Sequence, residues 1–345
     1  MMILFYSVLV LIVAIDSINS QTFNNPISDI NWPDPYAYLH TDGFYYMPRS
    51  ENNGLVLYRT RTLSNWRNAQ QSRIYTAGPG LGAVWAPEIH YIHGEFYIYV
   101  AMETDGLNEN HRMYVLKANN ANDPMGQWST AHRMYIPAED YWAIDGTVLE
   151  YGNGKLYFIW SGWPQINSGF PQYLYIAEMC DPMTVCGRRV LIKRVDFPWE
   201  RIGADLIEGP QILHNAGRVF LVYSASGSWT PDYILGFMGI DNLADPLNYD
   251  NWWRHDRPVF WRHDEENVYG VGHASLTTSP DKREPWIVYH AMSNPNAGWE
   301  GRTARAQKFG WNPDNSPDFG RPRGFHISLP VPSGTQTVHS NCTIN

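Results

Sequence analysis

Residues 145–162, DGTVLEYGNGKLYFIWSG, read as a short strand, a tight glycine-containing turn and a second strand dense in Leu, Tyr, Phe, Ile and Trp. Branched and aromatic runs bounded by turn formers mark a β-hairpin. The same layout recurs in DPYAYLHTDGFYYMPR from Asp34, WAPEIHYIHGEFYIYVA from Trp85, EGPQILHNAGRVFLVYSAS from Glu208 and HASLTTSPDKREPWIVYHA from His273. The leading residues stand at 34, 85, 145, 208 and 273, so the unit repeats every 51 to 65 residues. That length holds about four strands. Radial repetition of four-stranded units builds a β-propeller whose innermost strands line a central channel. We therefore expect an all-β chain folded as a five-bladed β-propeller. A β-sandwich with irregular hairpins leaves one regularity unexplained: Asp34 to Gly43, Asp145 to Gly154 and Glu208 to Gly217 are each nine residues apart. Trp85 also lies nine before Gly94, although a one-residue shift in that turn places Ala86 at the equivalent position.

Equivalent positions at the starts of inner strands face one funnel, which predicts that Asp34, Trp85, Asp145, Glu208 and His273 converge. Two carboxyl groups across a cleft can break a glycosidic bond: one, protonated, donates to the leaving oxygen, and the other takes a proton from attacking water. A third carboxylate nearby raises the pKa of the acid by like-charge repulsion. Glu208 follows Leu206 and Ile207, and apolar neighbours help a carboxyl stay protonated near neutral pH. The competing use of such residues is to cap strand starts or to pair with Arg across blades.

Five stretches, NWPDPYAYL (31–39), VWAPEIH (84–90), AIDGTV (143–148), IEGPQIL (207–213) and GVGHASLTTSP (270–280), resemble in order and spacing the signature segments of glycoside hydrolase family 43. The resemblance runs from about Asn31 to about Arg323. HRMYVLKANNANDP (111–124), SGSWTPDYILG (226–236) and RTARAQKFGWN (302–312) resemble its secreted α-L-arabinofuranosidase and exo-arabinanase branch. The resemblance implies a five-bladed propeller that hydrolyses α-L-arabinofuranosides or β-xylosides with inversion. By position it makes Asp34 the general base, Glu208 the general acid and Asp145 the modulator of the acid's pKa. It places Trp85 against a sugar ring, Trp163 on the pocket wall and Arg302 on the terminal sugar, with Arg305 as the neighbouring alternative. His273 matches a histidine near the propeller axis that contacts a central water or a cation, so a structural calcium or sodium ion in the channel is expected, held by His273 through water. HExxH, paired CxxC and EF-hand patterns are absent from the sequence, so no cofactor is expected to be required. The implied substrate is plant cell-wall arabinan or arabinoxylan. A β-xylosidase, an endo-arabinanase and a non-catalytic glycan-binding propeller stay open. Retaining fructan hydrolases share the five-bladed propeller, but their Arg-Asp-Pro and Glu-Cys motifs are missing here.

The apolar run Met1–Ile15, followed by short polar residues, reads as a signal peptide cleaved near Ser20. A signal anchor is the alternative, though the run is shorter than the roughly 20 residues of a membrane span. Residues 21–345 are expected to form one catalytic propeller domain, secreted and extracellular, with the Pro- and Gly-rich tail after Trp311 wrapped over the last blade. The chain carries a formal charge of −9, and loss of residues 1–20, whose only charged side chain is Asp16, leaves it near −8. Such a balance argues against nucleic acid or an anionic membrane as partner and leaves neutral glycans open. A monomer is expected. Cys180 and Cys186 could close a small loop, leaving Cys342 unpaired inside a glycosylation sequon at Asn341. GPGLGA (78–83) satisfies a loose dinucleotide-binding pattern, but Pro87 and a strand-like run follow where a helix is required.

Overall fold

The computed structural model describes residues 21–136 and 138–336. The expected signal peptide, the Asn341 sequon and Cys342 lie outside the described residues. Five antiparallel sheets follow one another along the chain as the blades of a β-propeller. Blade one comprises Tyr38–Leu39, Tyr45–Ser50, Gly54–Thr60 and Gln70–Thr76, and blade two Leu81–Ile92, Glu95–Thr104, Arg112–Lys117 and His132–Arg133. Blade three comprises Ala143–Glu150, Leu156–Gly162 and Tyr173–Asp181, with Thr184–Val185 and Val190–Lys193 both pairing outside the third strand. Blade four is Ile207–Asn215, Arg218–Ala225, Ile234–Asp241 and Trp253–Arg254; blade five is Tyr269–Thr278, Pro285–Met292 and Thr303–Lys308.

Alternation along the second strands explains why the sheets pack face to face into a ring. Side chains two apart share a face. In blade one Tyr45 and Met47 join Trp286 and Val288 of blade five, whereas Tyr46 between them joins Ile89 and Phe96 of blade two. In blade three Phe158 and Trp160 pack on blade two, and Tyr157 and Ile159 on blade four. Phe220 and Val222 of blade four meet Ile287 and Tyr289 of blade five, completing one apolar cluster at each of the five blade junctions. The hairpins thus bury both faces, as their near-continuous apolar runs require.

Among the described residues blade five has three strands, and the N-terminal segment covers its edge. The Ile27 amide donates to the Ala304 carbonyl and the Trp32 amide to the Arg302 carbonyl, both at 2.9 Å, while Asn31 bridges Thr303. Thr22–Phe23 also pairs with Leu329–Pro330. Beyond Trp311 the tail runs back across blade five: the Gln307 side chain donates to the Phe319 carbonyl, and Phe319 is buried in the junction of blades four and five. Cys180 and Cys186 are disulfide-bonded on the outer edge of blade three.

The inner strands correct one expectation. In blades two to five the ladder is broken by a bulge just below the funnel, between Trp85 and Glu88, Ile144 and Thr147, Glu208 and Gln211, and Gly272 and Ser275. The first bulged residue is Ala86, Asp145, Gly209 or His273, with φ of 45°, 54°, 56° and 43°; Asp34 holds the same place in blade one at 52°. Equivalent positions are therefore Asp34, Ala86, Asp145, Gly209 and His273, and both Trp85 and Glu208 stand one residue earlier. The turns cause the offset. Blades one and three close their first hairpins over three residues, with the His40 amide on the Phe44 carbonyl and the Tyr151 amide on that of Lys155. Blades two and four use two-residue turns, His93-Gly94 and Ala216-Gly217, with φ positive at both positions, as type I′ hairpins demand. Counting nine back from the turn glycine lands on the bulge in one pair and one residue before it in the other.

Candidate active site

A cavity of about 640 Å³ occupies the funnel and is lined by Asp34, Trp85, Asp145, Glu208, His273 and Arg302, with Trp163 on its wall. All seven residues singled out by the sequence are thus brought together. Asp145 and His273 in their bulges, and Asp34 ahead of its strand, are non-glycine residues at positive φ, a conformation costing on the order of 1–3 kcal/mol each and concentrated at functional sites. In blade four Gly209 takes the bulge, and the His273 ring lies over it: a Cβ there would sit 3.2 Å from the imidazole.

Asp34 sits beside two cationic groups, His273 and Arg302, and one neutral imidazole, that of His290, whose pKa burial pushes down to about 4. Its Oδ1 is 3.2 Å from His273 Nδ1, 3.4 Å from His290 Nδ1 and 3.4 Å from Arg302 Nη1, and its amide donates to His290 Nδ1 at 3.2 Å. Burial pushes this carboxyl up, but His273, Arg302 and His290 outweigh it and hold it well below the usual carboxylate range. Asp145 is 3% exposed and accepts from the Gly209 amide at 3.0 Å. Burial, reinforced by Asp34 and opposed by His273, raises it to about 6. Glu208 is 7% exposed and lines the cavity together with Leu206 and Asp145. Burial first and the Asp145 charge second raise it to about 8, against His273 and a hydrogen bond from Tyr233. Three carboxyl groups in one cavity therefore have three different proton affinities: one ionised, one intermediate and one protonated at neutral pH. Pairs of titratable groups pushed apart in this way are how acid and base roles are divided.

Trp85 is 40% exposed, with its ring stacked 3.9 Å from that of His111. Trp163 is nearly buried and stacks on Trp142 at 4.8 Å. Arg302 reaches Asp34, and its Nε donates to the Trp299 carbonyl at 3.1 Å. Arg305 is fully buried and bonded to Ser293 Oγ, so of the two arginines it is Arg302 that faces the cavity. A directly ligated cation does not fit these side chains. Among the described residues no group of three His, Cys, Asp or Glu is placed to hold a metal, and the carboxylates around His273 outweigh its burial and raise its pKa, favouring an imidazolium that cannot ligate.

Sequence reasoning missed several residues. His290 closes the second strand of blade five against Asp34. Tyr233, immediately before the third strand of blade four, donates to Glu208 Oε1 at 2.7 Å. Glu88, 2% exposed, accepts from Gln211 and lies 2.9 Å from His90 Nε2. Trp229 and Trp299, a T-shaped pair 5.7 Å apart, stand at the cavity wall. Tyr233 and Trp229 lie inside the quoted SGSWTPDYILG stretch, so a positional signal existed for those two.

A five-bladed propeller whose funnel holds three carboxyl groups of graded proton affinity, two of them buried, has the architecture of a carboxylate-dependent glycoside hydrolase. Residues 23–317 match the family model described as "Glycosyl hydrolases family 43". The chain belongs to this family. It is 34% identical over 88% of its length to an "Extracellular exo-alpha-(1->5)-L-arabinofuranosidase" of Streptomyces avermitilis, and 33% identical over 90% to "Alpha-L-arabinofuranosidase 43" of Humicola insolens. The matched part spans 64% of each of these relatives, so the chain corresponds to under two thirds of their length. The crystal structure of an α-L-arabinofuranosidase from Lactobacillus brevis superposes with a TM-score of 0.80 at 33% identity, covering 88% of this chain and 98% of that one.

Proposed function

We propose that this protein removes terminal arabinofuranosyl residues from α-1,5-linked arabinan or from arabinoxylan side chains, as an inverting, exo-acting glycoside hydrolase. The observation that carries this reading is the separation of Asp34, held ionised chiefly by the His273 and Arg302 charges, from Glu208, held protonated by burial and Asp145. Asp34 takes a proton from a water molecule as that water attacks the anomeric carbon. Glu208 gives its proton to the glycosidic oxygen as the C–O bond breaks, and the leaving sugar departs as a neutral alcohol. Asp145 keeps the Glu208 proton in place through its charge and, through the Gly209 amide, fixes the backbone that carries it. Trp85 packs the sugar ring, Trp163 walls the pocket, and Arg302 bonds the terminal sugar while holding Asp34. His273 supplies charge beside Asp34; a calcium or sodium ion would be met only through water, and no step depends on one. The names of the arabinofuranosidase relatives favour arabinose over xylose. The reading also takes residues 21 onward as one secreted, monomeric catalytic domain, freed of residues 1–20 on export.

Proton NMR of the sugar first released from linear α-1,5-arabinan tests the reading. Initial β-arabinose from the wild type and none from Glu208→Gln is expected. Initial α-arabinose would refute inversion, and glycan binding without release would leave a binding propeller.

A further inference from the structure

Tyr233 is not among the residues lining the cavity, yet its hydroxyl donates to the Glu208 carboxyl, 2.7 Å to Oε1. Three features hold the ring there. It stacks on His290, with centroids 5.6 Å apart and planes 8° from parallel. It fills the space beside Gly272, where an added Cβ would lie 2.1 Å from the ring. Ser224 sits against its hydroxyl, with Ser224 Oγ itself accepting from the His273 amide at 2.8 Å. Tyr233 is thus packed between the proposed acid and the histidine that touches the proposed base.

We propose that Tyr233 is a positioning residue that decides which oxygen of Glu208 carries the transferable proton. The inference rests on the reading of Glu208 as general acid. A phenol has a single proton to donate, and an oxygen accepting it in a neutral carboxylic acid is the carbonyl oxygen. Oε1 is therefore the acceptor and Oε2 bears the proton. In the step, that proton passes from Oε2 to the glycosidic oxygen while the C–O bonding pair goes to the same oxygen. Glu208 is left as a carboxylate whose Oε1 already has a donor. Tyr233 keeps its own proton throughout, since burial, followed by the Glu208 charge, holds its pKa well above the ordinary phenol value. The hydrogen bond strengthens as charge develops on Glu208, so it favours the transition state over the ground state.

The role predicts a dependence on the leaving group that a structural role would not give. Tyr233→Phe, Glu208→Gln and the wild-type chain are compared on arabinotriose, whose leaving alcohol needs a proton, and on 2,4-dinitrophenyl α-L-arabinofuranoside, whose leaving group does not. For Tyr233→Phe, kcat on arabinotriose is expected to fall about 10- to 100-fold with KM little changed, and the loss on the aryl glycoside to be about tenfold smaller. The alkaline limb of kcat/KM moves up, because the donor that favoured the carboxylate is gone. Asp145, His273 and Asp34, which face Glu208 from blades three, five and one, are untouched by the substitution. Equal losses on both substrates, or an unmoved limb, overturn the role of Tyr233 alone. Wild-type turnover of arabinotriose by Glu208→Gln overturns the acid assignment and Tyr233 with it. If Tyr233→Phe does not fold, Ser224→Ala carries the test: the same selective loss, smaller in size, supports the role, and an unselective one refutes it. Should the wild type prefer xylosides, xylobiose and the corresponding aryl xyloside replace the arabinosides without changing the outcomes.

Discussion

Replacing Asp145 by Asn removes one negative charge from beside Glu208 and keeps an oxygen that can accept from the Gly209 amide. Glu208 is active while protonated, so the wild-type kcat/KM should decline as pH rises through about 8. Two like unit charges several ångströms apart in an effective dielectric of about 20 repel by about 2–3 kcal/mol, and each pKa unit corresponds to about 1.4 kcal/mol. Loss of the Asp145 charge should therefore lower the Glu208 pKa by about one to two units. Removing an anion makes deprotonation of its neighbour easier, so the alkaline limb moves downward, to between about 6 and 7, and not to the ordinary glutamate value, because burial still acts. The assay is the pH profile of kcat/KM on arabinotriose from pH 4 to 10 for both proteins. At pH 5 Glu208 is protonated in each, so a rate difference there measures orientation. A limb that stays in place or moves upward would refute the electrostatic role of Asp145, and a limb at the ordinary glutamate value would show that burial contributes nothing.

Glu208→Gln should stabilise the fold increasingly with pH. The folded pKa lies above the unfolded one, so the stability Glu208 contributes is complete below about 4.5 and is lost as pH climbs through about 8. Glutamine does not titrate, and the variant should gain up to about 5 kcal/mol between those limits relative to wild type; a pH-independent difference in Tm would contradict this. Trp85→Ala should raise KM for arabinotriose about three- to tenfold by loss of a stacking face, with a smaller effect on kcat; a change confined to kcat would place Trp85 in the chemistry instead. Changing Cys180 and Cys186 to Ser should cost about 2 kcal/mol of stability, the loop-closure value for so short a loop, and should leave kcat/KM intact because the bond lies on the outer edge of blade three; lost activity with an unchanged Tm would refute that separation.

The architecture was legible because each hairpin carries its instructions locally. In LYFIWSG or FYIYVA every second side chain meets a different neighbouring blade, so both faces are apolar and the strand runs stand out. Asp34, Asp145 and His273 were legible for a related reason: each stands six residues before the turn of its first hairpin begins. The register of Glu208 and Trp85 was not, since a two-residue and a three-residue turn look alike in sequence while shifting the count by one. Glu208 was found through its surroundings and its family resemblance, and the nine-residue spacing that seemed to place it is a coincidence of turn length. Tyr233 and His290 escaped because they sit in runs where a tyrosine or histidine is ordinary core material. Only the packing of two distant strands puts one against the acid and the other against the base.

The clasp between residues 25–32 and the edge of blade five has a consequence for the order of events at the ribosome. Asn25 bonds the Ala306 backbone through both its side-chain atoms, and Ile27 and Trp32 bury against Ala304 and Ala306. The partners of these residues emerge roughly 270 residues after them, well over ten seconds later at ordinary elongation rates. Until then the open side of blade one exposes Tyr45, Met47 and Trp32 to solvent, so the growing chain must be shielded at that edge, and a pause late in translation would prolong the interval in which two nascent chains can join one another instead of closing on themselves.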